Sequence, residues 1–153
     1  MRAEPFPLEA NRHNVSKPLG ATDPRDLTLP LYGATFSQAI TRFFRSYFRF
    51  SGRASRSEYW WVMLMQTLAA GLLVSGVALG TDTMLKQVLV AVLIGLVLVC
   101  AAPGWALTVR RLHDADHSGW LVLLALVPYI GSVIPILFGF LPSRPRGESF
   151  DRR

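Results

Sequence analysis

Residues 87–109 read QVLVAVLIGLVLVCAAPGWALTV and contain no charged side chain. Two further apolar runs, at 59–79 and 120–141, have a similar length. A helix needs about 20 apolar residues to cross a hydrocarbon core of about 30 Å. Each run meets that length, so the sequence predicts an all-α membrane protein with about three transmembrane helices.

The third run contains helix-breaking residues, namely Pro128, Gly131 and Pro135. Prolines and glycines of this kind kink or end a helix. The run is therefore either one kinked spanning helix or a re-entrant segment that leaves the membrane on the side where it entered. Re-entrant backbone is tolerated where other protein covers it. We expect a spanning helix and keep re-entry as the alternative.

Residues 36–50 combine two side-chain patterns. Aromatic and aliphatic residues recur at helical spacing, and arginines recur on another face at Arg42, Arg45 and Arg49. Such a helix is suited to lie in the headgroup region of a membrane. We predict an interfacial amphipathic helix at 36–50, with a soluble helix packed on the protein as the alternative.

The composition bounds the class of partner. The chain has 153 residues, of which 51% are hydrophobic, and a formal net charge of +6. Because the arginines lie beside apolar and aromatic residues, anionic lipid is the expected partner and nucleic acid is not. Residues 1–35 hold half of the 10 prolines and lack the apolar core of a signal peptide, so we expect a disordered N-terminal tail. Residues 143–153 form a polar C-terminal tail.

The arginines also predict a topology. Arg53 and Arg56 precede the first span, and Arg110 and Arg111 follow the second, whereas the link at 80–86 offers only Lys86 as a basic group. The positive-inside rule then places the N-terminus in the cytoplasm. Three spans would put the basic C-terminal tail on the outer side, a conflict that a re-entrant third run removes.

A hairpin of the first two spans brings two charged segments to one membrane face. Within them Arg53 or Arg56 can pair with Asp114 or Asp116, and Glu58 can pair with Arg110 or Arg111. The cluster either holds helix ends together or forms a pocket for a lipid headgroup, an ion or a partner protein. Its candidate binding residues are Arg53, Arg56, Glu58, Arg110, Arg111, His113 and Asp114.

Metal binding and catalysis receive less support. His113 and His117 are four residues apart, which places both imidazoles on one face of a helix, as in some zinc sites. A closed zinc site needs further ligands, so we predict no metal and no cofactor. An acid–base pair of His113 with Asp114 is disfavoured because adjacent residues on a helix do not face each other. We therefore predict no catalytic residue.

Two charged motifs resemble signatures of the domain of unknown function 805 family, which are small bacterial inner-membrane proteins. The first is FRFSGRASRSEYWW at 48–61, and the second is RLHD at 111–114 with SGW at 118–120. The break VPYIG at 127–131 is similar to one in the family's last apolar run. The resemblance covers about residues 36–150, whereas RPRGESF at 144–150 matches the family's closing element only in part. It implies a multi-pass inner-membrane protein and no assigned activity.

The expected function is non-enzymatic contact at the charged cluster. Its partners would be anionic lipid, another membrane protein or a second copy of the chain. One alternative is an oligomeric carrier of a small solute or ion, in which Gln66 is a polar group within a span. The other alternative is an interfacial enzyme that uses His113 and Asp114.

Overall fold

The structure is a computed structural model that describes residues 20–128, 131 and 133–151. Over these residues the chain is all-helical and contains no strand, as predicted. The α-helices are α1 (Phe36–Arg45), α2 (Arg56–Leu79), α3 (Thr83–Asp114) and α4 (Ile134–Phe140), and two 3-10 helices cover Gly119–Leu126 and Pro145–Phe150.

Helices α2 and α3 form an antiparallel hairpin and correspond to the first two predicted spans. Both are long and apolar enough to cross a membrane. Only 6% and 11% of the residues in their most apolar segments are buried. A core helix of a soluble protein would be mostly buried, so the exposed surfaces of α2 and α3 are suited to contact lipid.

The third apolar run does not form one long helix. It divides into the 3-10 helix Gly119–Leu126 and the seven-residue α4, with Pro128 and Pro135 at the break. Proline removes a helical donor, and a side chain at Gly131 would overlap the carbonyl group of Ala125. Neither piece reaches the length of a span. The prediction of a third spanning helix is therefore not confirmed.

Both halves of the third run pack at the same end of the hairpin. Gly119 lies against Val109 and His113 of α3, and the carbonyl of Leu141, just after α4, accepts a hydrogen bond from Arg111. Between these points the run reaches Tyr59, whose hydroxyl donates to the carbonyl of Pro135 at 2.9 Å. The run thus starts and ends beside the C-terminal end of α3.

Helix α1 is shorter than predicted and lies across α2 and α3. It ends at Arg45, and residues 46–48 form a turn instead of continuing the helix. Its side chain Phe43 is 1% exposed and packs with Val62 of α2 and Cys100 of α3. The arginines of α1 do not form the single exposed face that was expected, because Arg42 is buried whereas Arg45 is exposed.

Part of the predicted N-terminal tail is ordered. Residues 1–19 lie outside the described residues, but the segment at 20–35 packs over the start of α2 and buries Pro30, Leu31 and Ala34. The structure therefore departs from the prediction of disorder over 20–35. The physical reason is that the main chain of this segment finds buried hydrogen-bond partners on α1 and α2, which composition alone does not reveal.

Candidate functional site

Asp114, the last residue of α3, is the centre of the first half of the charged cluster. Its carboxylate is 0% exposed. One oxygen accepts a hydrogen bond from the Tyr32 hydroxyl at 2.9 Å, and the other accepts one from Arg111 at 2.6 Å and one from Ser143. The guanidinium of Arg53 lies 3.7 Å away. Asp114 therefore joins the N-terminal segment, α3 and the C-terminal segment.

Arg53 connects this centre to the C-terminus of the described chain. Its Nε lies 2.9 Å from both carboxylate oxygens of Asp151, and its Nη2 donates to one of them at 2.5 Å. Burial lowers the pKa of Arg53, but the hydrogen bonds and charge of Asp151 outweigh that effect, so the pKa lies above its usual value. The polar C-terminal segment is thus fixed to the helical hairpin by a bidentate ion pair.

Glu58, at the start of α2, is the centre of the second half of the cluster. Its carboxylate accepts hydrogen bonds from Nε of Arg42 and from the backbone amides of Ser55, at 2.8 Å, and Leu31, at 3.3 Å. Ser55 and Glu58 form a capping box, which satisfies free amide groups at the helix start. Glu58 pairs with Arg42 of α1, and not with Arg110 or Arg111 as the sequence suggested.

Arg56 and Arg111 bind the C-terminal end of α4. Arg56 donates to the carbonyls of Leu141 and Phe140 at 2.9 and 3.0 Å, and Arg111 donates to the same Leu141 carbonyl. The last carbonyls of a helix lack helical donors and carry partial negative charge. The two arginines therefore hold the returning end of the third run against α2 and α3.

Arg110 is buried beside these centres and takes part in neither. Its side chain is fully buried, and its Nε donates to the Ala106 carbonyl of its own helix at 3.3 Å. Its backbone carbonyl accepts the amide of Ala54 at 3.0 Å. Arg110 thus positions the loop that precedes α2 through its main chain.

His113 has partners other than Asp114. Its Nδ1 lies 3.1 Å from the carbonyl of Gly52, and its ring stacks on Phe150 with centroids 4.2 Å apart. Gly52 has a φ of +84°, a conformation that favours glycine. His117 follows the end of α3 and contacts its own neighbour, the carbonyl of Ala115. The two histidines therefore do not share a helical face.

The cluster is arranged as a clamp between segments. Both oxygens of Asp114 and both oxygens of Glu58 accept hydrogen bonds from protein groups. Among the residues that the structure describes, no three His, Cys, Asp or Glu side chains come together as a metal site would need. These ion pairs and hydrogen bonds attach four segments to one end of the α2–α3 hairpin. The segments are the N-terminal segment at 20–35, α1, the end of α4 and the C-terminal segment.

A cleft and two grooves lie close to the cluster. A basic cleft of about 220 Å³ separates Pro24 and Arg25 from the outer face of α1, where Arg45 also lines it. An apolar groove of about 600 Å³ runs beside His113 and Trp120. A third space of about 380 Å³ lies between α2 and α3 and contains Gln66. Of these three spaces, the basic cleft is the one with two exposed arginines, Arg25 and Arg45, in its lining.

Sequence reasoning missed several members of the cluster. These are Tyr32, Arg42, Ser143 and Asp151. The sequence pattern places Arg42 among solvent-facing arginines of α1, and the other three lie in segments with the composition of tails. One signal was available, because LPLY at 29–32 is an apolar stretch within an otherwise polar tail. Which of its neighbours it would meet depends on the tertiary fold.

A comparison with known protein families shows to which family this chain belongs. The profile of the family described as "Protein of unknown function (DUF805)" matches residues 47–152, which include every candidate residue predicted from the sequence. The chain belongs to this family. The resemblance drawn from the two charged motifs is thereby confirmed.

Two relatives from Escherichia coli K12 are named as inner membrane proteins. Inner membrane protein YhaH is 36% identical over 109 residues, which cover 69% of this chain and 87% of the relative. Inner membrane protein YhaI is 36% identical over 95 residues, which cover 61% of this chain and 75% of the relative. No solved structure matches the chain. Membership of this family and two membrane-length helices together indicate an inner-membrane protein of uncharacterised role.

Proposed function

We propose that this protein is a non-enzymatic integral membrane protein whose charged end binds anionic lipid in the cytoplasmic leaflet. The observation that carries the proposal is an imbalance of accessible charge. Exposed arginines at this end are Arg25, Arg45, Arg56, Arg144 and Arg146, whereas Asp23 is the one exposed carboxylate there among the residues whose burial the structure describes, and the carboxylates of Glu58 and Asp114 are buried and bound to protein groups. Juxtamembrane arginines are attracted to anionic headgroups by about 1 kcal/mol each.

The course of the third run supports a topology in which the N-terminal and C-terminal segments lie on the same side of the membrane. The amide of Arg144 donates to the carbonyl of Asp114 at 2.9 Å, so the basic C-terminal segment lies at the same end of the hairpin as Arg53. The opposite end carries Asp82 and Lys86, whose charges cancel. A re-entrant third run with all arginine-rich segments in the cytoplasm then satisfies the positive-inside rule.

The basic cleft beside α1 supplies a place for a lipid phosphate. Arg25 and Arg45 are exposed at its rim, and Gln38 and Thr41 add polar side chains. On the same helix Phe44 is 45% exposed, and an exposed ring next to arginines is suited to the boundary between headgroups and acyl chains. The cleft therefore combines cationic donors with an adjacent apolar surface.

Native mass spectrometry of the protein in phosphatidylglycerol and phosphatidylcholine nanodiscs tests the proposal. The double variant Arg25→Gln, Arg45→Gln should bind phosphatidylglycerol with roughly thirtyfold lower affinity and so retain less of it, since each arginine contributes about 1 kcal/mol. Lys86→Gln, at the opposite end, is the matched control and should retain the lipid. Equal retention by the double variant and the wild type would refute the proposal, as would equal loss in Lys86→Gln.

A second candidate function, an oligomeric carrier, rests on the groove of about 380 Å³ between α2 and α3. Gln66 and Thr108 place polar groups in a space otherwise lined by apolar side chains. The groove is open, so a second copy of the chain would have to close it. Solute flux into proteoliposomes that falls in Gln66→Leu, with lipid retention unchanged, would favour the carrier over lipid binding.

A further inference from the structure

Residues 31–34 lie across the start of α2 and are bound through their main chain. The Leu31 amide donates to Glu58 at 3.3 Å, and the Leu31 carbonyl accepts from the Ser55 hydroxyl at 2.6 Å. The Ala34 amide donates to the Ser57 hydroxyl at 2.9 Å. The Ala34 carbonyl accepts a hydrogen bond from Nε1 of Trp61 at 3.0 Å. Both polar main-chain groups of each end residue are therefore bound by side chains of α2 and its N-cap.

The bound segment has the shape of a turn. Tyr32 and Gly33 are its central residues, and Gly33 has a φ of +74°, as the third residue of a type II turn requires. In an isolated turn the carbonyl of the first residue bonds the amide of the fourth. Here the Leu31 carbonyl and the Ala34 amide also bond serine hydroxyls. The helix start thus supplies further partners for the two groups that close the turn.

Side chains add selectivity to this main-chain recognition. Leu31 and Ala34 are 7% and 4% exposed, and Pro30 is fully buried. The Tyr32 hydroxyl extends from the turn to Asp114, 2.9 Å away. The position of Gly33 is open, since a Cβ placed there would meet nothing within 4 Å. The site therefore accepts a turn with a small or apolar residue at each end and a hydroxyl-bearing ring in the second position.

The two halves of this contact differ in their relation to the family. Ser55, Ser57, Glu58 and Trp61 all lie within residues 47–152, the region that the family profile matches, whereas the turn at 31–34 precedes it. The binding groups thus belong to the shared part of the chain, and their occupant belongs to the part outside the match.

We propose that the start of α2 is a polypeptide-binding site, which here is filled in cis by the turn at 31–34. When that turn is released, the site accepts the same turn from a second copy of the chain. Main-chain recognition with a few buried side chains is an established way to bind peptides. A tethered occupant competes strongly because its effective concentration is high.

Gly33→Val in the full chain, reconstituted in nanodiscs, releases the turn without altering the site. A β-branched residue resists a φ of +74°, whereas a Cβ at this position would meet no neighbour within 4 Å. Hydrogen exchange should show protected amides at Leu31 and Ala34 in the wild type and exposed ones in the variant, with α2 and α3 unchanged. Retained protection in the variant would overturn the proposal. If Gly33→Val fails to fold, Gly33→Ala, whose smaller side chain resists the same positive φ less strongly, takes its place.

Binding in trans is measured with a fluorescent peptide of residues 20–35. It should bind the Gly33→Val chain about tenfold more tightly than the wild type, because the cis competitor is weakened. Adding Ser57→Ala to that chain should weaken binding, whereas Ser75→Ala, which removes an α2 hydroxyl far from the site, should not. Equal binding to both chains, or equal binding of a peptide that itself carries Gly33→Val, would overturn the proposal.

Discussion

The hydroxyl of Tyr47 donates a 2.6 Å hydrogen bond to the backbone carbonyl of Val99. Pro103 lies four residues further along α3 and has no amide hydrogen to offer that carbonyl. Tyr47 therefore replaces the missing helical donor and ties the turn after α1 to the middle of α3. Within a membrane such a replacement matters because water does not reach an unpaired carbonyl.

This relationship predicts coupling between two substitutions. Tyr47→Phe should lower the free energy of unfolding in detergent by about 1 kcal/mol, since a carbonyl loses its donor. In a Pro103→Ala background the helix regains its amide donor, so the same change should cost much less. A double-mutant cycle measured by thermal unfolding detects this difference. Additive effects of the two substitutions would contradict the replacement.

The buried Arg42–Glu58 pair should be important for stability. Arg42→Gln leaves the buried Glu58 carboxylate without its cation, and removal of one partner of a buried pair costs about 3–5 kcal/mol. Arg45→Gln, on the same helix but exposed, is the control and should change stability by about 0.5 kcal/mol or less. Thermal unfolding in detergent compares the two variants. A similar cost for both would show that the pair does not stabilise the protein.

The re-entrant course that we propose for the third run predicts which positions share a membrane side. With Cys100 replaced by alanine, single cysteines at three exposed positions report the topology: Thr22→Cys, Thr81→Cys and Ser149→Cys. Residues 22 and 149 should react with an impermeant thiol reagent from one side of the membrane, and residue 81 from the other. Labelling of residues 81 and 149 from the same side would instead support a third spanning helix.

Tyr32 should make the packing of the N-terminal segment sensitive to alkaline pH. Burial, with the charge and hydrogen bond of Asp114, raises the pKa of Tyr32 above its usual value. Because the folded pKa is raised, the contribution to stability is complete below the ordinary tyrosine pKa of about 10 and is lost as the pH rises through the folded value. The near-ultraviolet phenolate absorbance of the wild type, minus that of Tyr32→Phe, should show this late ionisation.

Ionisation of Tyr32 at the ordinary tyrosine pKa would show that its hydroxyl does not bond Asp114. The same difference spectrum in Asp114→Asn provides the control, since loss of the charge should move the ionisation of Tyr32 back towards its usual range.

The sequence alone predicted the two long helices and the charged face. Apolar runs at 59–79 and 87–109 exceed the thickness of a bilayer, and this length requirement does not depend on neighbours. The short link between them brings Arg53 and Asp114 to one end, where the structure places their side chains 3.7 Å apart.

Only the tertiary structure decided how the remaining segments attach to that end. The third run is apolar enough to span, but its backbone breaks at Pro128 and Pro135, and Arg56 and Arg111 bind the end of α4. The segment at 20–35 has a polar, proline-rich composition, yet buried side chains of α1 and α2 bind its main chain. Composition and periodicity describe side chains, whereas these attachments are made by backbone groups, whose partners depend on the fold.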